Sequence, residues 1–182
     1  MTRLALCALL VLLAGPVAAA ERVGALLDIP LGASFARLER DLDFRDISAS
    51  LAQMNGATPD LGRRGYGCMR REDAQADIAC VSHDEKIDGV ALREVRLHFL
   101  HGRLYQFSMS AELQFYDVVV AHLRARNGMP LAAPAGEVLR WQDAAAQVSA
   151  YRGKDLIFVN FEMASYADAV KRKREGAAFE CY

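Results

Sequence analysis

Apolar residues recur at spacings of three and four in two parts of the chain, which is the period of an amphipathic helix. Ser34 can cap the first helix; Asp117 can cap the second, and Asn127-Gly128 with Pro130 ends it. The predicted apolar faces are Phe35, Leu38 and Leu42 in the first helix and Val119, Val120 and Leu123 in the second. A third helix is predicted over residues 164–174.

Elsewhere the pattern changes to the alternation of half-buried strands. It is clearest from Val95 to Phe99, where every second residue is apolar and a turn at His101-Gly102 leads into a partner strand. The pattern predicts strands near 66–71, 77–83, 91–99, 104–110, 137–142, 146–151 and 155–162. Because short turns join consecutive strands, antiparallel meanders are favoured over parallel crossovers.

This order of elements predicts an α+β fold, an antiparallel β-meander sheet with helices packed on one face. A short helix precedes a meander twice, which suggests two tandem α-β repeats over 28–110 and 111–175. One domain is expected over 21–175, with a flexible tail over 176–182.

Residues 1–20 have the layout of a secretory signal peptide. Arg3 gives the positive start, an unbroken apolar run follows from Leu4 to Ala14, and Gly15-Pro16 precedes the small residues Ala18-Ala19-Ala20. We expect cleavage after Ala20 and a periplasmic or secreted protein. The alternative is an N-terminal membrane anchor, but the apolar stretch is interrupted and shorter than the roughly 20 residues that a spanning helix needs.

The charge balance of the chain bears on the kind of partner to expect. The chain has 22 basic and 23 acidic residues and a formal net charge of −1. This balance gives no reason to expect a nucleic-acid partner. No stable membrane insertion is expected after cleavage, because no later apolar run reaches spanning length.

Three cysteines, Cys68, Cys80 and Cys181, follow the predicted cleavage site. In an oxidising compartment the default is that two of them pair. We favour Cys68 with Cys80, because a hairpin centred on Ala74 places them directly opposite each other, at a Cα separation that suits a disulfide. Cys181 is then either a free thiol or the site of an intermolecular bridge.

No segment carries a motif specific for catalysis. A Gly-x-Ser-x-Gly nucleophile elbow is absent. The glycine-rich segment 62–67 leads into a strand, whereas a phosphate loop leads into a helix. His98 and His101 are expected to point to opposite faces, which argues against a shared metal site. We therefore predict no catalytic residues, no metal and no cofactor.

Eight residues are candidates for contact with a partner. Arg63 and Arg64 lie in the glycine-rich loop, and Tyr105 and Tyr151 are strand aromatics. The third helix carries the basic run Lys171, Arg172, Lys173 and Arg174, which can contact an anionic surface or can form a solvated helix face. The single tryptophan, Trp141, is expected in the core.

Three segments together resemble small exported bacterial proteins. They are the strand-to-helix segment IPLGASFARLERDL, the strand pair around VRLHFLHGRLYQF, and a helix ending RARNGMP before the strand with Trp141. Their order resembles the tandem helix-plus-meander folds of the β-lactamase inhibitory proteins and the small outer-membrane assembly lipoproteins. The resemblance implies a protein-binding role without catalytic residues. The lipid-modified cysteine of the lipoproteins has no counterpart at the signal boundary.

Three functions follow as hypotheses. The first is a non-enzymatic exported module (inhibitor, immunity-type protein or envelope accessory factor) that binds another envelope or extracellular protein. The second is an envelope hydrolase with a site assembled from scattered residues, which predicts a deep pocket lined by acids with shifted pKa values or by His98. The third is a small-ligand carrier with an apolar cavity under its helices. A shallow sheet face with exposed aromatics such as Tyr105 and Tyr151 favours the first.

The cleavage site is tested by the N-terminus of the exported protein. In a bacterial host that secretes the chain, intact mass and N-terminal sequencing are expected to show a protein that begins at Glu21. Ala20→Arg removes the small residue before the cut and is expected to leave the precursor uncleaved. Native protein that begins at Met1 would contradict the assignment.

Overall fold

The computed structural model describes residues 25–27, 29–47, 65–71, 75–131 and 138–179. The predicted signal peptide, Arg63, Arg64 and Cys181 lie outside these ranges. The strands are β1 Ala25–Leu26, β2 Ile29–Pro30, β3 Phe44–Asp46, β4 Tyr66–Arg70, β5 Ile78–Ser82, β6 Lys86–Ile87, β7 Val90–Ala91, β8 Glu94–Leu100, β9 Arg103–Glu112, β10 Leu139–Gln142, β11 Ala146–Arg152 and β12 Leu156–Met163. The helices are α1 Phe35–Asp41, α2 Tyr116–Asn127 (after a 3-10 turn, Leu113–Phe115) and α3 Tyr166–Phe179.

Eight strands form one sheet in the order β10-β11-β12-β9-β8-β5-β4-β3. All neighbouring pairs are antiparallel except β3 and β4, which run parallel. The α+β class is confirmed, and the prediction of a wholly antiparallel sheet is wrong at this edge. A parallel pair requires a long connection, and a long stretch of chain separates these two strands.

Side chains alternate along each strand, so the sheet has one apolar face and one polar face. The apolar face is fully buried and includes Val95, Leu97, Phe99, Phe107, Met109, Trp141, Val148, Ile157, Val159 and Phe161. Helix α1 covers it with Leu38, and α2 covers it with Val119, Val120 and Leu123; all belong to one continuous core. Trp141 therefore lies in the core, as predicted.

Helix α3 packs elsewhere. Its Tyr166 belongs to a separate small cluster with Leu100 and Tyr105 of the β8–β9 hairpin. A β-bulge between His98 and Phe99 shifts the register, so that Tyr105 is the extra residue of β9. Tyr105 therefore lies on the same side as Gln106, and Leu100 lies on that side because it follows the core residue Phe99 in the alternation of β8. The prediction that the helices share one face is wrong for α3, because Leu100 and Tyr105 place apolar side chains on the opposite side.

The two halves of the domain each run from a helix into a meander, but their strands differ. After α1, the meander β4-β5-β8-β9 is interrupted by the β6–β7 hairpin; after α2 the described residues form the meander β10-β11-β12. Strands β9 and β12 join the halves. Two tandem repeats are not confirmed by this arrangement.

The boundaries of α1 and α2 follow the predicted signals with one difference, whereas α3, predicted over 164–174, is Tyr166–Phe179. The Ser34 hydroxyl accepts the backbone N–H three residues further on at 3.3 Å. Helix α2 ends at Gly128, with φ of 77°, and the Gly128 carbonyl accepts the indole N–H of Trp141 at 2.9 Å. Asp117 does not cap α2, which begins one residue earlier. It lies in the first turn, where the helix dipole favours a carboxylate.

Cys68 and Cys80 occupy directly opposed positions on β4 and β5. They form a disulfide with a Cα–Cα distance of 4.0 Å, so the predicted pairing and its hairpin register are confirmed. Both residues belong to the main core. The bond fixes β4, which lies next to the edge of the sheet, to the inner strand β5.

Loss of this bond is expected to destabilise the domain. Cys68→Ala/Cys80→Ala should lower the free energy of unfolding by about 3 kcal/mol, because the unfolded chain gains the entropy of an open loop. Urea unfolding measures the difference. Reductant should lower the stability of the wild type by a similar amount and leave the double variant unchanged. Equal stability of the oxidised wild type and the double variant would contradict the prediction.

Candidate interaction face of the sheet

The second side of the sheet carries small polar side chains in rows that cross the strands. One row is Arg140, Ser149, Asn160, Ser108 and Arg96; the next is Gln142, Gln147, Glu162, Gln106 and His98. We call these ten residues, with Ser110, Tyr151 and Phe158, the polar face. Except for the buried Ser110, its side chains are half-buried or exposed. Serine, asparagine and glutamine make up half of it.

Two charged groups on the polar face, Arg96 and Glu162, contact neighbouring side chains of the chain. The Arg96 guanidinium holds Glu94 through two contacts, Nε to Oε1 at 2.6 Å and Nη2 to Oε2 at 2.9 Å. The Glu162 carboxylate accepts the side-chain amides of Gln106 and Asn160, each at 3.4 Å. The face therefore offers many hydrogen-bonding groups and little net charge.

An aromatic pair lies at one end of the polar face. Tyr151 and Phe158 are opposed on β11 and β12, with ring centroids 5.2 Å apart and ring planes 20° from parallel. Tyr151 is 44% exposed. Gly153 leaves room for this pair, since a Cβ there would lie 2.8 Å from Cε2 of Phe158. Ser110 follows Phe158 in the same row, so small polar groups border the rings.

The predicted contact residues do not form one cluster. Tyr151 is in the aromatic pair, whereas Tyr105 lies near the other end of the strands, half-buried, with its ring centroid 6.2 Å from that of Tyr166. In the basic run of α3, Lys171, Arg172 and Arg174 are exposed. Lys171 lies 3.8 Å from Glu175, one turn further along the helix.

Lys173 faces inward and holds α3 to the segment before β5. Its Nζ lies 2.6 Å from Oδ1 of Asp77 and donates to the Ala76 carbonyl at 3.0 Å. The second Asp77 oxygen accepts the backbone N–H of His101. Partial burial disfavours the ionised carboxyl, but the hydrogen bonds from Lys173 and His101 and the charge of Lys173 outweigh it, so the pKa of Asp77 is lowered.

Two other titratable side chains, His122 and Tyr66, contribute to the packing of the domain. Nδ1 of His122 lies 2.8 Å from Oδ2 of Asp88 and ties α2 to the β6–β7 turn. Burial and the nearby Glu85 carboxylate raise the pKa of the Tyr66 phenol, which stays neutral in the core. In the ranges that the structure describes, no three histidine, cysteine or acidic residues come together as metal ligands.

A cleft of about 160 Å³ lies between α1 and the β3–β4 edge. Phe35, Phe44 and Met69 give it apolar walls, and Glu39 and Arg45 are among its charged lining residues. His98 does not line it. The cleft is about the size of one aromatic ring, well below the roughly 300 Å³ at which small-molecule sites begin.

Sequence reasoning missed the polar face and Phe158. The signal was available, because the residues between the core positions of β12, namely Phe158, Asn160 and Glu162, also share one face. The apolar positions of β12 identify only the side of the sheet that packs in the core. The stacking of Phe158 on Tyr151 depends on the pairing of β11 with β12. The sequence pattern does not specify this pairing.

No family model and no curated protein matches this sequence. Among solved structures, a GTP binding regulator from Thermotoga maritima is similar at 14% sequence identity, with a TM-score of 0.34, over 59% of this chain and 74% of that one. A likeness this weak says nothing about function. No helix among the described residues is long and apolar enough to cross a bilayer.

Gly153→Ala is expected to push the Phe158 ring away and disturb the aromatic pair. The overpacking should lower the free energy of unfolding by about 1–2 kcal/mol. The ring-current shifts of Tyr151 in NMR spectra should change as well. The same substitution in a Phe158→Ala background should have a smaller effect, since the obstructing ring is gone. An equal effect in both backgrounds would contradict the role given to Gly153.

Proposed function

We propose that this chain is an exported, non-enzymatic module that binds another envelope or extracellular protein through the polar face. One observation carries the proposal: a sheet that is closed by the core on one side presents, on the other, hydroxyl and amide side chains and an aromatic pair whose Tyr151 is exposed. Flat surfaces of this composition are typical of protein recognition, where small polar groups adapt their hydrogen bonds and tyrosine supplies rigid contact area.

The aromatic pair has the properties of a binding anchor. Most of the free energy of an interface comes from a few residues, among which tyrosine is enriched, and these are surrounded by contacts of small energetic effect. Tyr151 is exposed and braced by Phe158, so it loses little conformational entropy on binding. The low net charge of the surrounding face favours a neutral protein surface over an anionic polymer as the partner.

The disulfide supports the proposed compartment. A pair such as Cys68–Cys80 persists in the periplasm or outside the cell and is rare in the reducing cytoplasm. The proposed signal peptide at residues 1–20 would deliver the chain there. No comparable observation favours the hydrolase or the small-ligand carrier.

Site-specific photocrosslinking tests the docking face. A photoreactive phenylalanine analogue at Ser108, at the centre of the polar face, is expected to give one specific crosslinked product with a partner protein in the envelope of the native host. The same probe at the exposed Val118 of α2 is the matched control. A product that is equal at both positions, or absent at position 108, would overturn the proposal.

The anchor is tested by affinity for the crosslinked partner. Tyr151→Ala is expected to raise the dissociation constant at least 10-fold, because it removes the exposed ring that anchors the contact. Arg37→Ala, an exposed residue of α1, is expected to leave the constant unchanged. Calorimetric titration of purified proteins measures both, and unchanged binding by Tyr151→Ala would contradict the anchor.

A further inference from the structure

We propose that α3 is a displaceable cover over one end of the polar face, and that its release extends the docking surface onto Leu100 and Tyr105. This inference rests on the proposed function and concerns its regulation. The cover lies at the end of the sheet opposite to the aromatic pair.

The packing of α3 is separate from that of the main core. Of its residues 166–175, only Tyr166 and Ala169 are buried. They contact Leu100, with Tyr105 and Val170 at the margin, and none of these five residues belongs to the main core. Over residues 166–175 the helix therefore buries little apolar surface, and an element held in this way opens at a free energy below that of global unfolding.

Tyr166 and Lys173 attach α3 to one short segment, residues 75–77. The Tyr166 hydroxyl donates to the Gln75 carbonyl at 3.1 Å, and Lys173 bonds Ala76 and Asp77. The Lys173 and Asp77 side chains are 20% and 36% exposed. An ion pair this close to solvent contributes about 1 kcal/mol or less. The Lys173–Asp77 pair is therefore a specific but weak attachment.

The connection allows α3 to leave without disturbing the sheet. Only the turn 164–165 separates it from β12. The Ala164 N–H donates to the Ala145 carbonyl at 2.9 Å, which holds the end of β12 in place. Glu162 of the polar face lies just before this turn, so β12 carries part of the polar face and leads directly into α3.

Release would expose apolar surface where a partner can use it. Leu100 is fully buried under α3, and Tyr105 is half-buried beside Tyr166. Tyr105 precedes Gln106 on β9, so the uncovered patch is continuous with the polar face. The extended surface exists only while α3 is released. The apparent affinity of the partner is therefore its intrinsic affinity multiplied by the released fraction, and the attachment of α3 determines that fraction.

Hydrogen exchange tests the displacement without any partner. Amides of residues 168–175 are expected to exchange at least 100-fold faster than those at the centres of β9 and β12. Lys173→Met should accelerate them by a further ~5-fold, as expected for loss of roughly 1 kcal/mol. Arg174→Met removes the same charge from a neighbouring, exposed position and is the matched control. Exchange of α3 amides at the rate of β12 amides would overturn the proposal.

Photocrosslinking from Ser108 tests the regulation. In the Lys173→Met background the yield at limiting partner concentration is expected to rise several-fold, and in Arg174→Met it is expected to stay at the wild-type level. A crosslink that forms equally in all three proteins refutes the cover and leaves the docking face intact. Fast exchange of α3 without any crosslink at Ser108 refutes the docking face and the regulation together, while α3 remains a mobile helix.

Discussion

The stacked rings of Phe107 and Phe161 join the two halves of the domain. They lie at directly opposed positions of β9 and β12, with centroids 4.2 Å apart and planes 8° from parallel. Strand β9 ends the first meander and β12 ends the second, so this pairing aligns one meander with the other. A shift by one residue would turn every core side chain of β12 towards solvent. The apolar burial on one side therefore fixes which residues form the polar face.

The sequence pattern correctly predicted the features of the fold that depend on local periodicity. Alternation in β8 identified the core face, and the turn at His101-Gly102 was placed correctly. The same reasoning gave the opposed positions of Cys68 and Cys80, because the register of a hairpin depends on its own residues. Helix ends followed from Ser34 and Gly128, whose effects are also local. These features depend on interactions between residues that are close in the chain.

The sequence failed where distant segments meet. The parallel pairing of β3 with β4 depends on a long connection, and no local pattern specifies it. The position of α3 depends on Leu100 and Tyr105, and the bulge at His98/Phe99 moves Tyr105 off the face that simple alternation with Phe107 predicts. The same limit applies to the candidate site. Tyr151 was recognised as a strand aromatic, but its partner Phe158 and the rows of polar residues emerge only when β11, β12, β9 and β8 are aligned.

The end of the β8–β9 hairpin also explains why α3 is needed at all. Alternation in β8 leaves Leu100, and the bulge leaves Tyr105, on the polar side of the sheet, where exposed apolar surface would promote self-association. A helix that covers them with Tyr166 and Ala169 avoids this exposure in the free protein. A cover that was also integrated into the main core could not leave without unfolding the domain. The separation of the two clusters therefore fits a fold in which the core sets stability and the lightly attached helix sets how much of the opposite face is accessible.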